Sequence, residues 1–377
     1  MSLDGYHQLD SAFSSDFRLI SQSGSYSASL AYAAQKLSAN IGTSIADAGF
    51  RQTDLFSAVA LDRSFVLWTP SAAVQLKIGN SSSLNVRYSG RTGQPRAEQL
   101  QQLRRNKDPL NISLGNAGLR PSFTNDLSFN YRIHQSGADR GVNFYGSYAL
   151  TSREIITNRF TDSAGVNFYR YENLYDRVQR SWNISTEAYG HATGVDFVLS
   201  VSLNAKGSTN FNYVNGELNR VSLVEYRPRI EISKNKEHYN YRFSVEPNYL
   251  VNSSSLQTLS NNSKGFSASL SYFTTLPLKF FMGSDVNYRF VGKNELFERN
   301  FEQLIVNSSF GKSFLKNESL KLTVKVNDLL NQNKGYYRDG RSDSFRELRN
   351  TTISRYFMFS ASWDFARFGK SFQVQQQ

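Results

Sequence analysis

Residues 194–207, GVDFVLSVSLNAKG, put Val195, Phe197, Leu199, Val201 and Leu203 on one parity and Asp196, Ser200, Ser202 and Asn204 on the other. Successive side chains of a strand point to opposite faces, so this is a strand with one apolar face and one wet face. The same grammar recurs. Leu84, Val86 and Tyr88 alternate with Asn85, Arg87 and Ser89; Leu127, Phe129, Tyr131 and Ile133 alternate with Ser128, Asn130, Arg132 and His134. Further on, Phe266, Ala268, Leu270 and Tyr272 oppose Ser267, Ser269 and Ser271, and Leu320, Leu322, Val324 and Val326 oppose Lys321, Thr323, Lys325 and Asn327. Period-two segments of this kind predict roughly sixteen strands. Among them are segments near 12–20, 25–33, 37–46, 71–79, 83–90, 194–206, 209–215 and 354–365. In a soluble sandwich the apolar faces turn inward to a shared core. In a membrane barrel they turn outward to lipid and the wet face lines a lumen. Alternation alone is compatible with both.

Three further features favour the barrel: the number of strands, the aromatic content and the asymmetry of the connections. Hydrophobic residues are 39% of the 377, a low share for a soluble chain of this length, while 28 Phe and 21 Tyr bring aromatics to 14%. Such a bias suits a wall that meets lipid with one residue in two and carries aromatic girdles at both interfaces. No stretch approaches the roughly 18 consecutive apolar residues of a membrane helix. The connections near 79 (GNSS) and 274 (TTLP) are tight, whereas those at 91–122 and 327–352 are long. Only PRAEQLQQLRRN, 95–106, is expected to be helical, with Pro95 suited to a first turn. No linker or composition break divides the chain, so one domain is expected over 1–377, with MSLDG at 1–5 looking like an added start. The N-terminus shows no basic segment followed by an apolar run, so no signal peptide is expected. The fold predicted is all-β, a transmembrane antiparallel barrel of the outer-membrane type.

Several functions are disfavoured. The chain has no cysteine, and its four histidines, His7, His134, His191 and His238, lie far apart, so neither a metal site nor a cofactor is expected. The net charge of +12 comes from Lys and Arg scattered along strands, not gathered in one arm or helix, which argues against nucleic acid as a partner. Glu187, His191 and Asp196 lie close together, but they straddle the tight GHATG connection and no motif sets a nucleophile beside them. His191 reads as a turn residue and the chain as a non-enzyme. Arg91, Arg96, Arg104, Arg105 and Lys107 form a basic cluster that could hold an anionic substrate or a lipopolysaccharide phosphate, or could simply be a solvated loop face. In GNAGLRP the glycines permit turning and Pro121 fixes re-entry into a strand.

The last predicted strand, SRYFMFSASWDF, ends in aromatic residues and resembles the insertion signal of bacterial outer-membrane barrels. The segment 84–132 resembles TonB-dependent outer-membrane transporters, in which a strand ends in an aromatic-Ser-x-Arg pattern, runs through QP…QL and re-enters after GNPxLxPE. The matching residues are Tyr88, Ser89, Arg91, Gln94, Pro95, Gln99, Leu100, Gly115, Asn116, Leu119, Arg120 and Pro121. Ala117 stands where that family commonly has Pro, and Ser122 where it has Glu. VKVNDLLNQNKGYYRDG, matched through Asn327, Asp328, Leu330 and Asn331, resembles the C-terminal strands of the same transporters, especially the barrel family common in Bacteroidetes.

This resemblance implies the C-terminal part of a 22-stranded barrel, with a plug domain not seen here that would reach the TonB energy-transducing complex. It implies energised uptake of a nutrient across the bacterial outer membrane, with siderophore, cobalamin, glycan and peptide all open. The implied partners are outer-membrane lipid and lipopolysaccharide, and a surface lipoprotein is an open addition. Two alternatives stand beside it: a self-contained porin-like channel, and a surface adhesion or assembly barrel.

Overall fold

A computed structural model describes residues 17–54, 60–100, 104–108, 110–135, 140–192, 194, 196–257, 262–295, 297–315, 318–340 and 345–364. Its strands in chain order are β1 (Phe17–Ala33), β2 (Leu37–Asp54), β3 (Ala60–Ile78), β4 (Ser82–Gly93), β5 (Arg104–Asp108), β6 (Asn111–Leu114) and β7 (Ser122–Gln135). There follow β8 (Arg140–Ser152), β9 (Ile155–Thr161), β10 (Asn167–Asn173), β11 (Gln179–His191), β12 (Val198–Val214), β13 (Glu217–Asn235) and β14 (Tyr239–Ser254). The last are β15 (Ser263–Leu276), β16 (Phe280–Val291), β17 (Phe301–Phe314), β18 (Leu320–Asn327), β19 (Tyr336–Gly340), β20 (Phe345–Arg349) and β21 (Tyr356–Trp363). One helical turn, α1 (Ala97–Leu100), and a 3-10 turn at Pro277–Lys279 complete the described elements.

The chain divides into two units, Met1–Ala188 with Ser202–Arg227 and Tyr249–Asn262, and Tyr189–Val201 with Pro228–Asn248 and Ser263–Gln377. In the first, β1, β2, β3, β4, β7 and β8 form an antiparallel meander. The turns after β1 and β3 are short, while the connections from β4 to β7 and from β8 to β11 are long and carry α1, β5, β6, β9 and β10. In the second unit β15, β16, β17, β18 and β21 form a like meander. There β15 and β16 are joined by the 3-10 turn, whereas 28 residues, 328–355, separate β18 from β21 and hold the β19–β20 hairpin. The predicted contrast of tight and long connections thus holds within each unit. The β12–β13 turn is Asn215–Gly216, with φ of 51° and 84°, the left-handed pair that a two-residue hairpin turn requires.

Cross-strand partners share a face, so the registers show which side chains stand together. On β2 and β3, Leu37, Ile41 and Ile45 pair with Leu76, Ala72 and Trp68; on β18 and β21, Leu322, Val324 and Val326 pair with Ala361, Phe359 and Phe357. These faces are exposed: Ile41 at 60%, Val66 at 66% and Phe359 at 81%. Phe197, Leu199, Val201 and Leu203 are exposed as well, whereas Gln52, Asn219, Glu225, Ser244 and Asn252 are buried. Apolar exposure to water costs about 25 cal/mol per Å². This inside-out distribution is stable only where lipid covers the apolar face and water meets the polar one.

The outer face of β2 and β3 also shows where lipid ends. Beyond Ile45 the same parity carries Asp47, Gly49 and Arg51, set against Val66, Ser64 and Asp62. Arg51 Nε lies 2.7 Å from Asp62 Oδ1, and Ser64 Oγ donates to Asp47 Oδ1 at 2.7 Å. The apolar stretch from Leu37 to Ile45 matches the roughly 9–11 residues a tilted strand needs to cross a bilayer. The strands nevertheless continue past it, to Asp54 on β2 and from Ala60 on β3, beyond the predicted 37–46 and 71–79. The predicted segments 194–206 and 209–215 likewise merge into one strand, β12.

The helix predicted over 95–106 is confined to Ala97–Leu100, and Arg104–Asp108 is strand instead. Pairing decides this: Arg104 and Arg105 pair with Leu114 and Ser113 of β6, and β6 adds in parallel to β10. One isolated helical turn gains too little from propensity to compete with a ladder of backbone hydrogen bonds.

Candidate functional site

The long β4–β7 connection packs into a small core on the inner parity of β2 and β3, above the apolar band. Leu100 and Leu119 are buried to 0% and 1% exposure against Phe50 and Phe65, with Leu61, Leu67, Ile155 and Tyr171 around them. The Phe50 and Phe65 rings are 6.1 Å apart and tilted. Polar motif residues then fix the chain around this core. The Gln99 Oε1 accepts the Arg96 N–H at 2.9 Å, and its backbone oxygen accepts the Asn116 N–H at 2.6 Å. Asn116 Nδ2 donates to the Tyr171 carbonyl at 2.8 Å, while its Oδ1 accepts the Gly118 N–H at 2.9 Å. On β10, Asn173 Oδ1 accepts the Arg120 N–H at 2.8 Å, and its Nδ2 donates to the carbonyls of Arg120 and Arg153 at 2.8 and 2.9 Å.

The second motif is a turn of the same kind. Asp328 is buried; its Oδ1 and Oδ2 accept the N–H groups of Gln332 and Asn333 at 2.9 and 2.8 Å, and its own N–H donates to Asn307 Oδ1 at 2.9 Å. Asp328 and Asn331 have φ of 52° and 56°, in the left-handed region that short polar side chains tolerate. Asn331 Oδ1 accepts the Arg355 N–H at 3.2 Å, so the turn is tied to the approach to β21.

The predicted motif positions therefore fall into two structural groups. Asn116, Leu119, Asp328 and Asn331 are fasteners of the loops, together with Gln99 and Leu100. Pro95 is buried at the start of α1, Pro121 leads into β7, Gly115 is half-buried, Gln94 is exposed and Asn327 ends β18. The basic residues are not brought together as one described cluster. Arg91 stands exposed on β4, and Arg96 lies 3.5 Å from Glu98. Arg104, Arg105 and Lys107 have their backbones on β5, and their side chains lie outside the described residues. Around the rejected catalytic group, Asp196 lies 2.8 Å from Lys236 and 3.7 Å from Lys234, and the hydrogen bond with Lys236 holds its carboxyl below the usual carboxylate range.

Two clusters of ion pairs among the described residues lie elsewhere. In the first unit Glu225 receives Lys206 at 2.9 Å and Arg227 at 2.5 Å. In the second, Glu231 receives Arg229 at 2.6 Å and Arg242 at 3.3 Å, and Arg229 also donates to Ser244 Oγ at 3.3 Å. Each carboxylate is outnumbered two to one by cations, which leaves a net positive charge at each cluster. The signal was present in VEYRPRIEI, 224–232, where Glu225, Arg227, Arg229 and Glu231 share one parity. At the loop end, burial pushes the Glu154 carboxyl above its ordinary value, against a lowering hydrogen bond from the Ile155 N–H.

No curated protein is matched by the chain. Among solved structures, it is similar to a glycine-to-valine variant of the ferric enterobactin receptor from Pseudomonas aeruginosa, at 9% identity and a TM-score of 0.28, over 92% of this chain and 70% of that one. Likeness at that level carries no argument about function. The profile of the outer membrane protein beta-barrel family matches residues 3–363, in keeping with the outward apolar faces and the two meanders, and the chain belongs to that family.

Proposed function

We propose that this outer-membrane protein is the barrel part of a TonB-energised transporter that takes up a nutrient too large or too scarce for passive channels. The observation supporting this reading is the construction of the 94–121 segment. Four of the residues by which it resembles TonB-dependent transporters, Gln99, Leu100, Asn116 and Leu119, help to build and fasten the loop-end core. In this reading the barrel contributes passively: long loops capture the solute, fixed cationic wall clusters hydrate and guide it, and a plug carried elsewhere is displaced by periplasmic force. No residue of this chain needs to make or break a bond.

The test compares solute depletion from spent rich medium by parent cells and by cells lacking the gene, with and without a protonophore. At least one solute is expected to disappear only with the parent and only while the proton gradient stands. Depletion that persists unchanged under the protonophore would identify a passive channel, and identical depletion by both strains would remove transport altogether.

A further inference from the structure

On the wet face of the first unit the registers set residues of β3, β4 and β7 in rows across the sheet. Lys77, Ser83 and Arg132 form one row, next to the short turn after β3. Two residues up β4 the row is Gln75, Asn85 and Asn130; two further up it is Ala73, Arg87 and Ser128. Arg91 stands opposite Thr124, where β4 leads into its long connection. Lys77, Arg87, Arg91 and Arg132 are exposed, and none of them forms an ion pair among the described residues. On the paired stretches of these three strands the only carboxylate of that parity is Asp126, opposite Ser89. Four cations against one acid leave a net three positive charges on the wall. With a rise of about 3.4 Å per residue, the steps from the Ser83 row to Arg87 and from Arg87 to Arg91 are each about 14 Å. The neighbouring strands leave the space in front of these steps open. Ser29, Gly42 and Ser71 share one row of β1, β2 and β3, and Ala31, Asn40 and Ala73 share the next.

We infer that the solute carried past this wall is an extended anion with several carboxylate or phosphate groups, passed from Arg91 to Arg87 and on to the Lys77–Arg132 step. The inference rests on the transport reading above and names the substrate class for it. Guanidinium groups fit carboxylate and phosphate oxygens in pairs, and here they have no carboxylate of the protein to satisfy them. The rows between the steps offer amides and hydroxyls, with Asn130 Nδ2 donating to Asn143 Oδ1 at 2.9 Å, so a hydrated anion crosses no apolar barrier on the way. Passage requires sites that attract but also release, and repeated exposed cations at similar spacing meet both demands where one deep pocket would not. A wall made to seat another protein domain would centre on a patch of apolar and aromatic side chains. Between these cations the wet parity of β4 and β7 carries Ser, Asn and Thr instead, apart from Asp126.

The test is fluorescence anisotropy of labelled hexaglutamate added to the purified full chain in neutral detergent, with linear hexaphosphate as competitor and labelled hexaglutamine as the uncharged probe. An extended hexapeptide reaches roughly 20 Å, enough to bridge two steps. At least one of the two anions is expected to bind and hexaglutamine is not; the tighter anion tells whether the groups are carboxylates or phosphates. Exposed ion pairs are individually weak, so each of Arg87→Gln, Arg91→Gln and Arg132→Gln should weaken binding about threefold, and the three together about thirtyfold. Removing as many exposed charges elsewhere, by Arg180→Gln, Arg220→Gln and Lys293→Gln, should change it by less than about twofold, since distant charges are screened. Heat-dependent mobility in SDS checks that each variant remains folded; should the triple variant fail this check, Arg87→Gln against Arg180→Gln carries the comparison. Equal weakening by the two triple variants would reduce the effect to net charge and overturn the proposal. Binding of hexaglutamine, or of neither anion, would overturn it as well. The transport reading fails separately: a chain that binds the anions but depletes no solute from medium loses that reading, whereas energised depletion of uncharged solutes alone keeps it and overturns the inference.

Discussion

Leu100→Ala isolates the loop-end core from the rest of the fold. Leu100 is fully buried, in contact with water in neither direction, and its neighbours Phe50, Phe65 and Leu119 stand on separate segments that cannot easily collapse. Losing the side chain beyond Cβ forfeits roughly 2–2.5 kcal/mol of transfer energy at about 0.8 kcal/mol per methylene, and the residual cavity brings the total to about 3 kcal/mol. Because this core sits above the lipid band, the loss should fall on local opening of 94–121 and not on the lipid-embedded strands. Opening governs hydrogen exchange, so the amides of Asn116 and Leu119, bonded to the carbonyls of Gln99 and Asn116, should exchange roughly 100-fold faster. Hydrogen exchange with mass spectrometry on the detergent-solubilised protein reads this directly, and the temperature at which the compact band unfolds in SDS should stay where it is. Unchanged exchange at those two amides would refute the role of Leu100 as the pin of the segment. A large fall in the unfolding temperature would refute the independence of loop core and wall.

Asp328→Ala removes the acceptor of the Gln332 and Asn333 N–H groups and leaves a left-handed backbone without its short polar side chain. A local loss of about 1–3 kcal/mol is expected, seen as faster tryptic cleavage after Lys334; cleavage at the wild-type rate would contradict the capping role. The raised Glu154 carboxyl gives a pH dependence of definite sign. A folded value above the ordinary 4.5 means that the fold is favoured while the group is neutral, so its contribution is fully present below pH 4.5 and is lost as pH rises through the folded value. Exchange at the Leu174 amide, bonded to the Glu154 carbonyl, should therefore quicken across that interval, and Glu154→Gln should flatten the profile; a profile unchanged by the substitution would assign the effect to another group.

What was legible in the sequence was the part of each strand that touches lipid. On β2 the alternation is sharp from Leu37 to Ile45, because one parity must dissolve in hydrocarbon and the other in water. It fades in DAGFRQTD, 47–54, where both faces meet water or a small core and no contrast is enforced. The upper halves of β2 and β3 were accordingly missed, and so was β9. The helix over 95–106 was over-extended because local propensity cannot register a partner strand at 111–114. Motif residues were readable as positions, but their work as fasteners was not, since Asn116 acts on Tyr171 and Asn173 on Arg120 and Arg153, far off in sequence. The charges of Glu225, Arg227, Arg229 and Glu231 could have been picked out by parity alone.

The continuation of β2 and β3 past the bilayer separates two selective pressures along one strand. Residues 37–45 must match the thickness of the hydrocarbon and tolerate little change. Residues 47–54 rise a further stretch on the order of 20 Å, even allowing for tilt, and there the inner parity answers to the small core around Phe50 while the outer parity answers to water. The outer parity of the rim, Asp47, Gly49 and Arg51, can thus change without altering the hydrophobic belt that holds the barrel in the membrane.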